Sequence, residues 1–248
     1  MRYAKKLAVA QLRSVAGDID YNVRRHEALL SLAASQNTDL IIFPELSLTN
    51  YEPRLARGLV MSETDPRLES LQAVSERHNM VIGVGVPTAA GSGVRISMFY
   101  LQPGKEATTY SKQHLHEDEF PYFVPGTEHL VLSHEGEKLV PAICYESLLP
   151  EHAEQAAMLN ASVYLASVAK PEGGVERGAK HYPMIARQHS MILLMANAVG
   201  QCDTFESVGR SAIWKRDGSL AGEMDDCSEG VLIFDTEREE VVELLLAS

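Results

Sequence analysis

Three side chains, far apart in the chain, each stand where a short strand-like run ends: Glu45 after the apolar Leu40–Phe43 and Pro44, Lys112 after the β-type Ala107–Tyr110, and Cys144 after the apolar Leu139–Ile143. Open α/β sheets bind ligands beyond the carboxyl ends of their strands, so three such residues can converge on one pocket. Their chemistry is complementary. A thiol attacks as thiolate, a form that a nearby ammonium favours. A partly desolvated carboxylate can take the thiol proton and later pass it to a leaving amine. An ammonium, together with the backbone N–H of Tyr145 just after the cysteine, can hold the oxyanion of a tetrahedral intermediate. Taken singly, each residue has a plainer reading: a buried inert cysteine, a glutamate capping a turn, a solvated loop lysine.

The elements that must position these residues alternate. Strands are expected at Leu7–Gln11, Leu40–Phe43, Met80–Val86, Ile96–Leu101, Leu139–Ile143, Val163–Ser167, Ile192–Asn197, Ser211–Trp214 and Gly230–Phe234, all short, apolar and bounded by turn residues. Helices are expected at Tyr21–Ser35, after the capping candidates Asp18 and Asp20, and at Pro66–His78, Glu151–Asn160 and Ala179–His189. Nearly continuous apolar strands interleaved with helices predict an α/β protein with buried sheets. The stretches Ala89–Gly93 and Pro171–Gly178 read as loops, and Ser111–Glu128 as a long irregular segment of the kind that often carries function. With no repeat, low-complexity tract or linker, residues 1–248 read as a single domain.

Composition narrows the function. Of 248 residues, 45% are hydrophobic and 23% charged, and 34 Asp and Glu outnumber 22 Lys and Arg for a net charge of −12. An acidic chain without a basic stripe argues against a nucleic-acid partner. Three widely spaced cysteines, Cys144, Cys202 and Cys227, make neither a disulfide framework nor a zinc knuckle. The start MRYAKKLAVAQLRS has too short an apolar run for a secretory signal, and no stretch approaches the length of a membrane span, so a cytoplasmic protein without a membrane partner is expected. His114 and His116, in HLHEDE, suit metal ligands on one strand face but lack an evident third ligand, so no metal and no cofactor are expected. Met191 and Met195 read as core-filling residues of a buried strand, Trp214 as packing in a terminal hairpin, and Cys202 and Cys227 as bystanders beside acidic residues.

The same residues, in this order, resemble the nitrilase superfamily of carbon–nitrogen hydrolases over nearly the whole chain. FPEL with Tyr51 is similar to that family's glutamate motif. YSKQHL with Pro125–Gly126 is similar to its lysine motif, and ICYESLLPE to its cysteine motif, with Pro150 and Glu151 six and seven residues beyond Cys144. LMANAVG and GRSAIWKRDGSLAGE resemble its late strand and closing Gly-x-Ser hairpin.

The resemblance implies a four-layer αββα sandwich, dimerising to αββααββα, in which Glu45, Lys112 and Cys144 act as base, oxyanion stabiliser and nucleophile on a small amide or carbamoyl compound. It implies also an acidic positioning residue after the lysine, for which Glu119 is the first candidate and Glu117 and Asp118 the competitors. Where many members carry Asn-Trp, this chain has Ala169-Lys170, so Lys170 either brings a positive charge to the substrate or is solvated. Glu146 either contacts substrate or supports the turn, Tyr51 is a further substrate-facing candidate, and Arg187 and His189 receive no role. Amide hydrolysis is favoured over nitrile hydrolysis, because the chain lacks a Cys-Trp-Glu form. The competing functions are acyl transfer from the same thioester, a metal hydrolase built on His114 and His116, and a non-catalytic binding protein of this fold.

Overall fold

A computed structural model describes residues 5–247. Residues 1–4 and 248, which the N-terminal and single-domain expectations include, lie outside the described residues.

In chain order the first half comprises β1 (Lys6–Gln11), α1 (Ile19–Ser35), β2 (Leu40–Ile42), α2 (Glu69–His78), β3 (Val81–Ala90), β4 (Gly93–Leu101) and β5 (Thr108–Ser111). The second half comprises β6 (Leu132–His134), β7 (Glu137–Ile143), α3 (Pro150–Met158), β8 (Val163–Val168), α4 (Glu172–His189), β9 (Ile192–Asn197) and β10 (Val199–Cys202). It ends with β11 (Phe205–Val208), β12 (Ala212–Trp214), β13 (Leu220–Glu223), β14 (Gly230–Asp235) and β15 (Glu240–Leu245). One sheet runs β15-β14-β1-β2-β3-β4-β5 and the other β13-β12-β9-β8-β7-β6, with β10 and β11 forming a separate ribbon.

Strand periodicity explains the layers. On β1, Leu7 and Val9 pack between the sheets with Leu139, Ile143, Val163 and Leu165, whereas Ala8 and Ala10 pack outward against Leu29, Leu30 and Ala33 of α1. On β7 and β8, Val140, Ala142, Tyr164 and Ala166 meet Ala153 and Ala156 of α3 and Tyr182, Ile185 and Ala186 of α4. Both faces of the central strands are therefore buried, which is why they read as unbroken apolar runs. The result is the αββα sandwich. No helix among the described residues is long and apolar enough to cross a membrane.

Local signals set several boundaries. The Asp18 carboxylate caps α1 by accepting from the N–H of Tyr21 at 3.0 Å. Asn79, at φ 51°, ends α2 in the left-handed conformation. Met191 and Met195 are buried just before and within β9, and Trp214 packs on Tyr182 with ring centroids 5.3 Å apart. Two expectations are corrected. The Ala89–Gly93 loop shrinks to the two-residue turn Gly91–Ser92 of a hairpin. The Pro171–Gly178 stretch is the first half of α4: its Gly178 faces inward, where a Cβ would run into the Tyr182 ring, so that glycine marks close packing and not a loop.

Candidate active site

Each of the three reactive residues is fixed by local bonding at the end of its strand. After β2, the N–H of Phe43 donates to the carbonyl of Gly83, and the chain then turns back through Leu46 at φ 51°, with the N–H of Leu48 donating to Gly85. His26 stacks on Phe43 from behind and hydrogen bonds Ser47 Oγ at 2.9 Å, which holds the turn bearing Glu45. Lys112 continues from β5: its N–H donates to Ile96 and its carbonyl accepts from Gly126 at 2.7 Å. A Cβ on Gly126 would overlap the carbonyl of Ser111, so the Pro125–Gly126 pair closes the lysine loop onto its strand. Cys144 follows β7 at φ 48° and opens a short 3-10 helix, Cys144–Leu148. The Tyr145 amide thus lies in a first turn, where backbone N–H groups lack partners within the helix.

The three meet. Lys112 Nζ, with no exposed surface, donates to Glu45 Oε1 at 2.8 Å and to Glu119 Oε1 at 2.6 Å. Glu119 is held in turn by the Tyr51 hydroxyl at 3.0 Å and by the N–H of His116 at 2.7 Å. Of the three acids after the lysine, Glu119 is therefore the one that touches it, while Asp118 pairs with His116 at the exposed surface, 2.6 Å away, and Glu117 is exposed. The Glu45 carboxylate adjoins the Cys144 thiol, and its buried Oε2 has no hydrogen-bond partner among the described residues.

The electrostatics favour a proton on sulfur and a thirsty base beside it. Burial raises the proton affinity of Glu45 against the pull of Lys112, with Glu119 adding to the rise. The Cys144 thiol is pushed up to about 11, first by burial and then by Glu45, against Lys170 and Lys112. The expectation that the ammonium of Lys112 favours the thiolate is thus outweighed: the resting group is a thiol, and its proton needs an acceptor. Burial works against the charge on Lys112, but Glu45, Glu119 and the Cys144 sulfur reverse this and keep it an ammonium.

Cys144, Tyr145, Tyr51, Glu119 and Lys170 line a cavity of about 720 Å³, together with Leu148, Leu149 and Phe205. That volume suits a small-molecule ligand. Glu146 does not line it. Its carboxylate is fully buried and accepts four donors, so of its two possible roles the geometry gives support of the turn. Lys170 is not solvated but 4% exposed. The His114 ring lies edge-on to His152 and the His116 ring edge-on to Tyr145, each engaged with an aromatic neighbour. Cys202 is buried against Asn50, and Cys227 is exposed. Sequence reasoning gave no part to Asn197 or Ser207, whose side chains bind the backbone of Lys170, or to Tyr110 and His152 behind Glu146. Asn197 stood within a quoted motif, which was the available signal.

A family model described as carbon-nitrogen hydrolase matches residues 6–244. The chain is 32% identical over 230 residues to a glutamine-dependent NAD(+) synthetase of Acinetobacter baylyi, an alignment covering 87% of this chain and 41% of that protein. The chain thus spans about two fifths of the length of that relative. It is 24% identical over 196 residues to the omega-amidase YafV of Yersinia enterocolitica, covering 78% of this chain and 70% of the relative. Among solved structures it is similar in fold to an amidase from Nesterenkonia sp., with a TM-score of 0.86, 23% identity, and coverage of 95% and 91% of the two chains.

Proposed function

Since the chain belongs to the carbon–nitrogen hydrolase family of the nitrilase superfamily, we propose that it hydrolyses a small amide through an acyl-thioester on Cys144. The observation that carries this reading is the contact of one buried ammonium, Lys112, with the carboxylate of Glu45, which also adjoins the thiol of Cys144, a residue that lines one cavity.

In the proposed cycle, Glu45 takes the thiol proton as Sγ attacks the amide carbonyl carbon. The oxyanion that forms is held by Lys112 Nζ and the Tyr145 N–H. Protonated Glu45 gives its proton to the departing nitrogen, the C–N bond breaks, and ammonia leaves an acyl-thioester. Water, losing a proton to Glu45, attacks the thioester. Collapse of the second tetrahedral intermediate expels the sulfur, which recovers its proton from Glu45 as the carboxylic acid departs. Glu119 and Tyr51 keep Lys112 aimed at the oxyanion.

The similarity to a glutamine-dependent synthetase and to an omega-amidase supports an amide as substrate. A homodimer in the cytoplasm, without nucleic-acid or membrane partners, belongs to the same proposal, as does the assignment of residues 1–248 to one domain. The test is intact-protein mass measurement during turnover of a panel of small amides. An acyl increment on Cys144, ammonia release, and loss of both in Cys144→Ala with unfolding temperature unchanged are expected. Ammonia release by Cys144→Ala at the wild-type rate would refute the nucleophile, and products capped by added amines in place of free acid would assign acyl transfer.

A further inference from the structure

The seven-stranded sheet carries a second cavity, of about 420 Å³, that shares no lining residue with the Cys144 cavity. Along β5, Tyr110 packs between the sheets whereas Thr109 and Ser111 line this second cavity, so it lies behind the strand that delivers Lys112. Its back wall is a chain of hydroxyls across three neighbouring strands. Thr88 on β3 and Ser97 on β4 lie 2.7 Å apart, and Ser97 and Ser111 on β5 lie 2.8 Å apart. Three hydroxyls have three protons, and the two bonds between them use two. The third proton is left at one end, Thr88 or Ser111, and both ends line the cavity. Whichever way the chain runs, the cavity faces a hydroxyl donor.

Beside that donor stands a cation. Arg95 of β4, in register with Thr88, is half-buried and lines the cavity. Its Nε is sealed from solvent without an acceptor, and the guanidinium forms no ion pair among the described residues. A buried donor left unmatched is costly, so the outer guanidinium N–H groups are held ready for an acceptor the protein does not supply. The rim has the opposite sign. Glu63 and Glu128 are exposed there; the first accepts from the Thr109 hydroxyl, and the carboxylate of the second has no partner among the described residues. Met61 and Phe99, at the base, are nearly fully buried and leave little apolar surface for a ligand.

We infer that this cavity is a binding site for a free α-amino acid with a short side chain. Its carboxylate takes the Arg95 guanidinium and the spare hydroxyl proton, and its ammonium lies between Glu63 and Glu128. A simple anion would meet the two rim carboxylates, and a simple cation would meet Arg95; a molecule with both charges on one carbon satisfies each. The walls belong to the two limbs of the lysine loop. Ser111 precedes Lys112 on one limb, and on the other Gly126, whose N–H donates to the Lys112 carbonyl at 2.7 Å, precedes Glu128 by two residues. An occupant spanning both limbs holds the loop that bears Lys112 closed.

The experiment compares L-alanine with propionate, which lacks the ammonium, and with ethylamine, which lacks the carboxylate, by titration calorimetry on the wild type. L-Alanine is expected to bind about 10-fold or more tightly than either, the size of one charge-assisted hydrogen bond. Arg95→Met should weaken L-alanine binding by about the same factor. Glu63→Gln combined with Glu128→Gln, at exposed positions that leave the fold intact, should remove the preference for L-alanine over propionate. Hydrogen exchange then places the ligand: L-alanine should slow exchange within residues 111–128 of the wild type, and not of Arg95→Met. No heat of binding, or equal affinity for L-alanine and propionate, would overturn the inference. So would binding that survives both sets of substitutions, or that leaves exchange in the lysine loop unchanged. Should Arg95→Met fail to fold, the double variant and the exchange pattern still decide. None of these measurements uses turnover, so the site stands or falls apart from the hydrolase reading.

Discussion

Glu146, two residues beyond the thiol, accepts a 2.7 Å hydrogen bond from the backbone N–H of Gln113, the residue that follows Lys112. Its other bonds run to His114, to the Tyr110 hydroxyl and to the N–H of Ile143. One buried carboxylate thus ties the cysteine turn to the lysine loop, and the two reactive groups keep their spacing because of it.

Glu146→Ala would leave the N–H groups of Ile143, Gln113 and His114 without their acceptor, while the Tyr110 hydroxyl keeps His152 and the Gln113 side chain. Each orphan costs about 1–3 kcal/mol. A loss of about 4 kcal/mol in a chain of this size lowers Tm by about 10 °C. Thermal unfolding is the check. An unchanged Tm with a raised KM would return Glu146 to the role of substrate ligand.

Glu119→Gln removes one of the two negative charges on Lys112 and places an amide N–H against either that ammonium or the His116 N–H. The expected result is a fall of about 100-fold in the rate of acylation, as for a displaced oxyanion donor, with KM little changed. Single-turnover kinetics separate the two. Glu117→Gln, altering an exposed neighbour, serves as the control and should fall by no more than twofold, a bound of order-of-magnitude worth for a surface change.

The protonation state of Cys144 can be read without a substrate. With its thiol pushed up to about 11, the fraction of thiolate at neutral pH is small and grows as pH rises. The rate of alkylation by iodoacetamide should therefore still be climbing between pH 9 and 10, in contrast to a free cysteine, which levels off above about pH 8.5. A plateau below pH 8 would mean that Lys112 and Lys170 together outweigh burial and Glu45.

His26 and His152 are buried, each with its proton affinity lowered by desolvation to about 4 from 6.5. Below pH 6.5 the unfolded chain takes up protons at both rings, while the folded chain refuses them until about pH 4. Stability should therefore fall as pH drops through this window, by about 1.4 kcal/mol per pH unit for each ring. Above pH 6.5 neither contributes to a slope. Tm measured from pH 7 to pH 4 in the wild type and in His26→Gln is the test, and the variant is expected to show the shallower decline.

The strands that bear Glu45 and Cys144 were legible because each is a short run, apolar enough for burial, that stops at a residue able to do chemistry, whereas β5 before Lys112 is half-buried and was legible only by its β-branched and aromatic residues. The choice among Glu117, Asp118 and Glu119 was not, since it depends on the phase of a single 3-10 turn that aims Glu119 inward. Lys170 beside Pro171 read equally as a solvated loop residue, because the groups that bury it, Asn197 and Ser207, lie 27 and 37 positions away. The first half of α4 was hidden by three glycines of low helix propensity, overridden by packing on Tyr182 and by the inward side chain of Val175. Strands β6, β10, β11 and β13 have only three or four residues, and β15 is an edge strand that is largely exposed, so none offers a clear apolar pattern.

The seven-stranded sheet supplies Glu45 and Lys112, whereas the six-stranded one supplies Cys144. Neither slab alone holds the proposed catalytic set, so the proposed chemistry is a gauge of their alignment. A chain that kept every strand yet let the two slabs slip by a few ångströms would look native by circular dichroism and be catalytically silent. Loss of turnover should therefore be the earliest sign of thermal or denaturant damage, ahead of any loss of secondary structure.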